Sequence, residues 1–228
     1  MNAVGAPPQP SASPEPRTLA LTPALAHLAS GGLVAFPTET TWGLAADASS
    51  AEAVAQLRRQ KGRGPAHPIS VLVEDLAAAE RLGAEPNRAA RLLAQAFWPG
   101  PLTLVVPSCA SLAGRLARGV AGAGGAVGLR CAAHPAAQGL AAGAEALGLG
   151  PLTATSLNRS TAPAARTRPQ ALGACADLGG VVLLAGSDAG GSSESSVVDV
   201  TGPHPKLLRE GAIGAGTIAH VFERAHAR

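Results

Sequence analysis

Residues 33–43 read LVAFPTETTWG, and residues 61–63 read KGR. Four apolar residues in a row, LVAF, predict a short strand buried on both faces. Pro37 cannot continue a central strand, so the chain leaves the sheet there. Beyond it stand three hydroxyls (Thr38, Thr40, Thr41), a carboxylate (Glu39) and an indole (Trp42). Segments that follow strand ends are where α/β proteins usually carry their chemistry. KGR lies one predicted helix later and offers two cations around a glycine. Lysine is scarce in this chain: of 18 Lys and Arg residues, only Lys61 and Lys206 are lysine.

Working outward, 228 residues suit one large domain, expected over 17–228, after a disordered tail over 1–16 that holds five prolines. Hydrophobic residues at 46% and charged residues at 14% exclude a disordered chain. Tyrosine is absent, so Ala, Leu and Val must form the core. A net charge of +3 is compatible with an anionic ligand such as a nucleotide or RNA, and equally with simple solubility. Cys109, Cys131 and Cys175 show no CxxC or Cys/His spacing. They read as buried thiols in a reducing cytoplasm, with no protein-held metal. No signal-peptide pattern and no apolar run of about 20 residues occurs, so a cytoplasmic protein without membrane partners is expected.

Strand and helix signals alternate. Thr22-Pro23 reads as a helix start and Gly31-Gly32 as its stop. Ser49 and Glu52 suggest a capping box for a helix over 51–60, which delivers Lys61 at its end. Strands are expected at 69–73, 102–106, 127–130, 152–155, 181–184, 196–200 and 206–209. Asn87 should cap a helix running to Trp98, stopped by Pro99-Gly100, with Trp98 serving core packing. A further Ala-rich helix should follow His134-Pro135 to about 147. Interleaved strands and helices argue for α/β architecture with a mixed sheet.

No P-loop, no GxGxxG after a strand and no GxSxG elbow is present. What remains is a scattered set of polar residues, each near a strand end: Thr38, Thr40, Lys61, Arg63, Arg130, Ser156, Asn158, Ser195, Ser196 and Arg209. Several cations with hydroxyl and amide donors suit a phosphorylated ligand. Arginine grips phosphate or carboxylate with two bonds, and lysine acts as a point charge.

These positions belong to collinear motifs: AFPTETTWGLAAD at 35–47, KGR at 61–63, HPISVLV at 67–73, WPGPLTLV at 98–105, VGLRCAAHP at 127–135, TATSLNRS at 153–160, SSESSVVDV at 192–200 and LLREG at 207–211. In them the chain resembles the YrdC/TsaC family of threonylcarbamoyl-AMP synthases, in its short form without an extra C-terminal domain. The resemblance implies a YrdC-like twisted mixed sheet with flanking helices around a large electropositive cavity. It implies that L-threonine, bicarbonate and ATP give threonylcarbamoyl-AMP and pyrophosphate, the product passing to a tRNA threonylcarbamoyl transferase complex. Mg²⁺ is expected with the ATP.

By the family pattern Lys61 and Arg63 hold phosphates and the carbonate or carbamate and are the catalytic cations. Thr38, Thr40, Arg130 and Ser195 serve threonine. His67, Ser156, Asn158 and Arg209 join Lys61 and Arg63 on the nucleotide. The sequence departs from the pattern at Trp42 (for Tyr), Leu157 (for a small residue between two expected ligands), Glu210 (for Pro) and Leu72 (for a His in some members). Two other readings stay open: a non-catalytic RNA- or nucleotide-binding module of the same fold, and a carbamoyl-transferring relative.

Overall fold

The computed structural model describes residues 16–64, 67–191 and 193–226. The expected tail over 1–16 therefore lies outside the described residues, apart from Pro16. Ten strands form one mixed sheet: β1 (Thr18–Leu19), β2 (Leu33–Phe36), β3 (Gly43–Ala45), β4 (Ser70–Leu72), β5 (Leu102–Val106), β6 (Val127–Arg130), β7 (Leu152–Ser156), β8 (Val181–Leu184), β9 (Ser196–Asp199) and β10 (Lys206–Arg209). Their order across the sheet is β1-β8-β2-β3-β7-β4-β6-β5-β9-β10. Among the described residues eight α-helices flank it: α1 (Leu21–Ala29), α2 (Ala51–Lys61), α3 (Leu76–Leu82), α4 (Arg88–Phe97), α5 (Ala110–Arg115), α6 (Pro135–Ala146), α7 (Arg168–Leu178) and α8 (Ala215–His226).

Successive residues of a strand point to opposite faces, and here the two faces have different fates. On β2, Leu33 and Ala35 enter one core while Val34 and Phe36 enter another; on β8, Val181 and Leu183 part from Val182 and Leu184 in the same way. The first core is roofed by α2, α4, α7 and α8, which supply Leu57, Leu93, Leu178 and Ile218. Among the described residues the second is roofed only by α1 and α6, through Leu25, Leu28, Leu140 and Ala144.

Two helices do not cover ten strands. At β5, β6 and β9 the first face remains core, with Leu129, Leu104 and Val198 in one cross-strand row. On the second face the rows Arg130–Thr103–Val197 and Gly128–Val105–Asp199 line a cavity instead. Gly128 sits at a close approach there: a Cβ would lie 2.8 Å from Ser70 Oγ, which would have to turn away.

Several caps differ from the sequence reading. The first helix begins at Leu21, one residue before Thr22, and its N-cap position is Ala20, which offers no side-chain cap. Ser50, not Ser49, caps α2, its oxygen accepting from the Ala53 amide at 3.2 Å. Ser49 is drawn away by Asp47, whose Oδ1 takes both its amide and its hydroxyl at 2.8 and 2.6 Å. Asn87 does cap α4, and His134, from which no cap was expected, caps α6. Trp98 packs against the first core with its indole nitrogen donating to the Leu102 carbonyl.

Candidate active site

The cavity over the open half of the sheet has a volume of about 490 Å³. Its walls come from the distant motifs: Thr38 and Thr40, Arg63, Arg130, Ser156, Ser195 and Arg209 all reach it. Lys61, Asn158 and His67 do not line it.

The 37–42 segment organises itself. Thr38 Oγ1 donates to the Thr41 carbonyl at 2.6 Å and accepts from the amides of Thr40 and Thr41 at 3.1 and 3.2 Å. Its proton is thus committed, so Thr40 is the donor of the 2.8 Å bond between the two hydroxyls. Thr40 Oγ1 then presents lone pairs toward Arg130, 3.5 Å away. Gly190 and Gly191 lie across this segment, their amides donating to the Thr38 and Thr40 carbonyls. A Cβ on Gly191 would come within 2.6 Å of the Glu39 carbonyl, so only glycine permits the contact.

Arg130 is buried at 6% exposure. Its guanidinium donates to the carbonyls of Gly100 and Leu102 and pairs with Glu39. Burial pushes Arg130 below the usual arginine value, and Glu39 opposes that shift. Glu39 takes the Ala133 amide on its other oxygen at 2.9 Å.

On the far wall, Arg209 donates through Nε to the Ser195 carbonyl (3.0 Å), through Nη2 to Ser195 Oγ (3.1 Å) and through Nη1 to Glu194 (2.6 Å). Ser195 Oγ also meets Thr103 Oγ1 at 3.0 Å. Ser196 faces away and is fully buried, its hydroxyl donating to the Ile213 carbonyl and accepting from the amides of Gly211 and Ile213.

Lys61 is buried at 2% exposure, behind Ser156. Its ammonium donates to the Ser156 carbonyl and, at 2.9 Å each, to the Asn158 carbonyl and Oδ1. All three of its protons have an acceptor in that turn. Burial, with Arg63 nearby, lowers its pKa to about 8. Ser156 Oγ closes the turn onto Asn158 Oδ1 at 2.7 Å. Arg63 is different: Nη2 donates to the Pro68 carbonyl at 2.9 Å, Nε is buried without a partner, and no carboxylate pairs with it among the described residues. His67 is exposed, and its carbonyl accepts from Arg58.

The departures from the family pattern fall outside the cavity, with one exception. Leu157 is 0% exposed and points into the first core. Leu72 belongs to the second core beneath α6. Glu210 does not pair with Arg209, since its Oε1 accepts from the Ala215 amide at the start of α8. Trp42 is the exception: it is among the residues that line the cavity, it is fully buried, and its indole nitrogen has no partner.

Comparison with known proteins decides the family. A family model described as Telomere recombination, for Sua5, YciO and YrdC, matches residues 26–211. The chain belongs to the Sua5/YciO/YrdC family. A Mycobacterium leprae protein of similar length, provisionally named a threonylcarbamoyl-AMP synthase, is 39% identical over 92% of this chain and 91% of its own. Threonylcarbamoyl-AMP synthase of Bacillus subtilis is 34% identical over 89% of this chain and 56% of its own. Among solved structures, Sua5 of P. abyssi complexed with L-threonine superposes with a TM-score of 0.78 at 32% identity, covering 88% of this chain and 56% of that one. This chain thus spans about half the length of that Sua5. The family's mixed sheet with flanking helices is the fold seen here.

Sequence reading missed several wall residues: Glu194, Asp199, Thr103 and Ser70 line the cavity as well. Thr103 had a signal. It is the one polar residue in LTLVV, and in a strand that marks a face that is not core.

Proposed function

We propose that this protein is an L-threonylcarbamoyl-AMP synthase, an ATP-dependent nucleotidyltransferase that acts in the cytoplasm. The observation that carries the proposal is convergence: motifs spread from residue 38 to residue 209 meet around one cavity of about 490 Å³, a size suited to small-molecule substrates. Threonine's amine attacks the carbon of bicarbonate, water leaves, and a carbamate results. A carbamate oxygen then attacks the α-phosphorus of ATP, forming the mixed anhydride as pyrophosphate departs. Such chemistry is chiefly positioning and charge stabilisation, and it needs no covalent nucleophile.

Arg130, Thr38, Thr40 and Ser195 hold threonine, with the guanidinium of Arg130 the partner for its carboxylate. Arg63 and Arg209 hold phosphates, and Arg63, having no carboxylate of its own among the described residues, is the cation most available to incoming charge. Lys61 acts on the nucleotide through the Ser156–Asn158 turn, whose three oxygens it binds. Its direct contact with phosphate or carbamate would require giving those up. His67 contributes from the loop that follows Arg63.

Mg²⁺ fits as a companion of the triphosphate. Glu194 and Asp199 are the carboxylates on the wall, engaged by Arg209 and by Thr201 respectively, and no cluster of three or more metal-ligating side chains occurs among the described residues. Bound there, the ion would neutralise phosphate charge. The product would pass to a tRNA threonylcarbamoyl transferase complex.

Incubation with ATP, labelled bicarbonate and L-threonine should yield labelled threonylcarbamoyl-AMP and threonine-dependent pyrophosphate release. Nucleotide or RNA binding with no turnover would replace this reading with that of a binding module.

A further inference from the structure

We propose that Arg58 is a positioning residue that fixes the cavity cation Arg63 and ties two stretches of cavity wall together. The inference rests on the reading above, in which Arg63 holds the nucleotide's phosphates. Arg58 lies in the last turn of α2. Its backbone carbonyl accepts from the Arg63 amide at 3.0 Å. Its guanidinium donates to the carbonyls of Gly64 at 2.6 Å and His67 at 3.1 Å. Arg63 is therefore bracketed by one residue on both sides. The chain can double back so tightly because Gly62 adopts a left-handed conformation, with φ of 62°.

The same guanidinium also reaches across to Gly119, donating to its carbonyl at 2.6 Å. The stretch after Gly119 runs into the cavity wall beside Pro68 and Ile69. The Val120 carbonyl accepts from the Ile69 amide at 3.2 Å, and Gly122 abuts Pro68 so closely that a Cβ would lie 3.3 Å from its Cγ. Pro68 and Gly122 both line the cavity, and the Pro68 carbonyl is the acceptor for Arg63. One side chain thus joins the stretch that carries Arg63 to the 119–122 segment packed beside it. No carboxylate pairs with Arg58 among the described residues, so carbonyl oxygens rather than an ion pair hold it in place. The three carbonyls lie on two segments and are met by two separate nitrogens, Nη1 on Gly64 and Nη2 on His67 and Gly119, a fork that the single nitrogen of a lysine does not reproduce.

Arg58→Met and Arg58→Lys separate this role from others. Both variants should fold, raise the KM for ATP about tenfold through misplacement of Arg63, and leave the KM for threonine within about twofold. Lysine restores charge without the fork, so restoration of the ATP KM by Arg58→Lys would overturn the proposal in favour of a simple charge effect. An unchanged ATP KM in Arg58→Met would overturn it too, as would failure of both variants to fold, which would make Arg58 a residue of general stability. Calorimetric titration with ATP gives an independent readout, with the dissociation constant expected to weaken about tenfold in both variants. If the wild type binds ATP but releases no pyrophosphate, the synthase reading fails, and the calorimetric comparison still decides the role of Arg58.

Discussion

Glu39 and Arg130 meet as an ion pair at the edge of the cavity, with side-chain exposures of 21% and 7%. Glu39 spans from that pair to the Ala133 amide, so it fixes the cation and the segment behind it together. Removing one partner of a largely buried pair leaves the other charge uncompensated. Glu39→Ala should lower the unfolding free energy by roughly 3 kcal/mol in urea titration. It should also raise the KM for threonine, because Arg130 loses the contact that aims it.

Lys61 carries a pH signature. Its pKa is lowered to about 8 in the folded protein from the ordinary 10.5. Between those values the unfolded chain keeps a proton that the folded protein has released, so this residue's contribution to stability increases as pH rises from 8 to 10.5. Urea midpoints of the wild type should gain on those of Lys61→Met between pH 7 and pH 9.5. Activity should move the other way. A neutral amine has two N–H groups for three acceptors, so kcat/KM should fall as pH rises through about 8. Lys61→Met should lose about a hundredfold in kcat/KM at neutral pH.

Ser195 and Ser196 are neighbours with opposite duties. Ser196→Ala would strand the part-buried amide of Gly211 and the buried amide of Ile213 and should cost roughly 3 kcal/mol, a midpoint drop of about 6–12 °C in thermal unfolding. Ser195→Ala removes a hydroxyl from the cavity wall. It should raise the KM for threonine and shift the midpoint by less than about 3 °C.

Leu157 stands where the family pattern has a small residue, yet its side chain is spent on the core beside Trp42. Leu157→Ala should therefore destabilise by roughly 3 kcal/mol and leave the KM for ATP and threonine unchanged. A changed KM would place the side chain at the substrate after all.

The central strands were legible because buried runs such as LVAF and VVLL have no other use, and strands 181–184 and 206–209 fall where read. The strand at Gly43–Ala45 was not, since GLA carries no β-branched residue and is a strand only through its partners β2 and β7. Helix α7 was overlooked although TRPQ at 167–170 encodes its capping box. Among the site residues, Arg63, Arg130, Ser195 and Arg209 were visible as charges or hydroxyls at strand ends and just after α2. The partners that restrain them were not, because Glu39 with Arg130 and Arg58 with Gly119 are joined only by the fold. Leu157 and Glu210 looked like intrusions into the site, and side-chain direction, which a linear pattern does not encode, takes both away from it.

The alternation along β5, β6 and β9 divides evolutionary labour. Alternate positions answer to different masters: Leu104, Leu129 and Val198 to packing, Thr103, Val105 and Val197 to whatever occupies the cavity. Substrate preference can drift at the second set without disturbing the first. A library confined to Thr103, Val105 and Val197 is thus the natural starting point for redirecting this scaffold toward another amino acid.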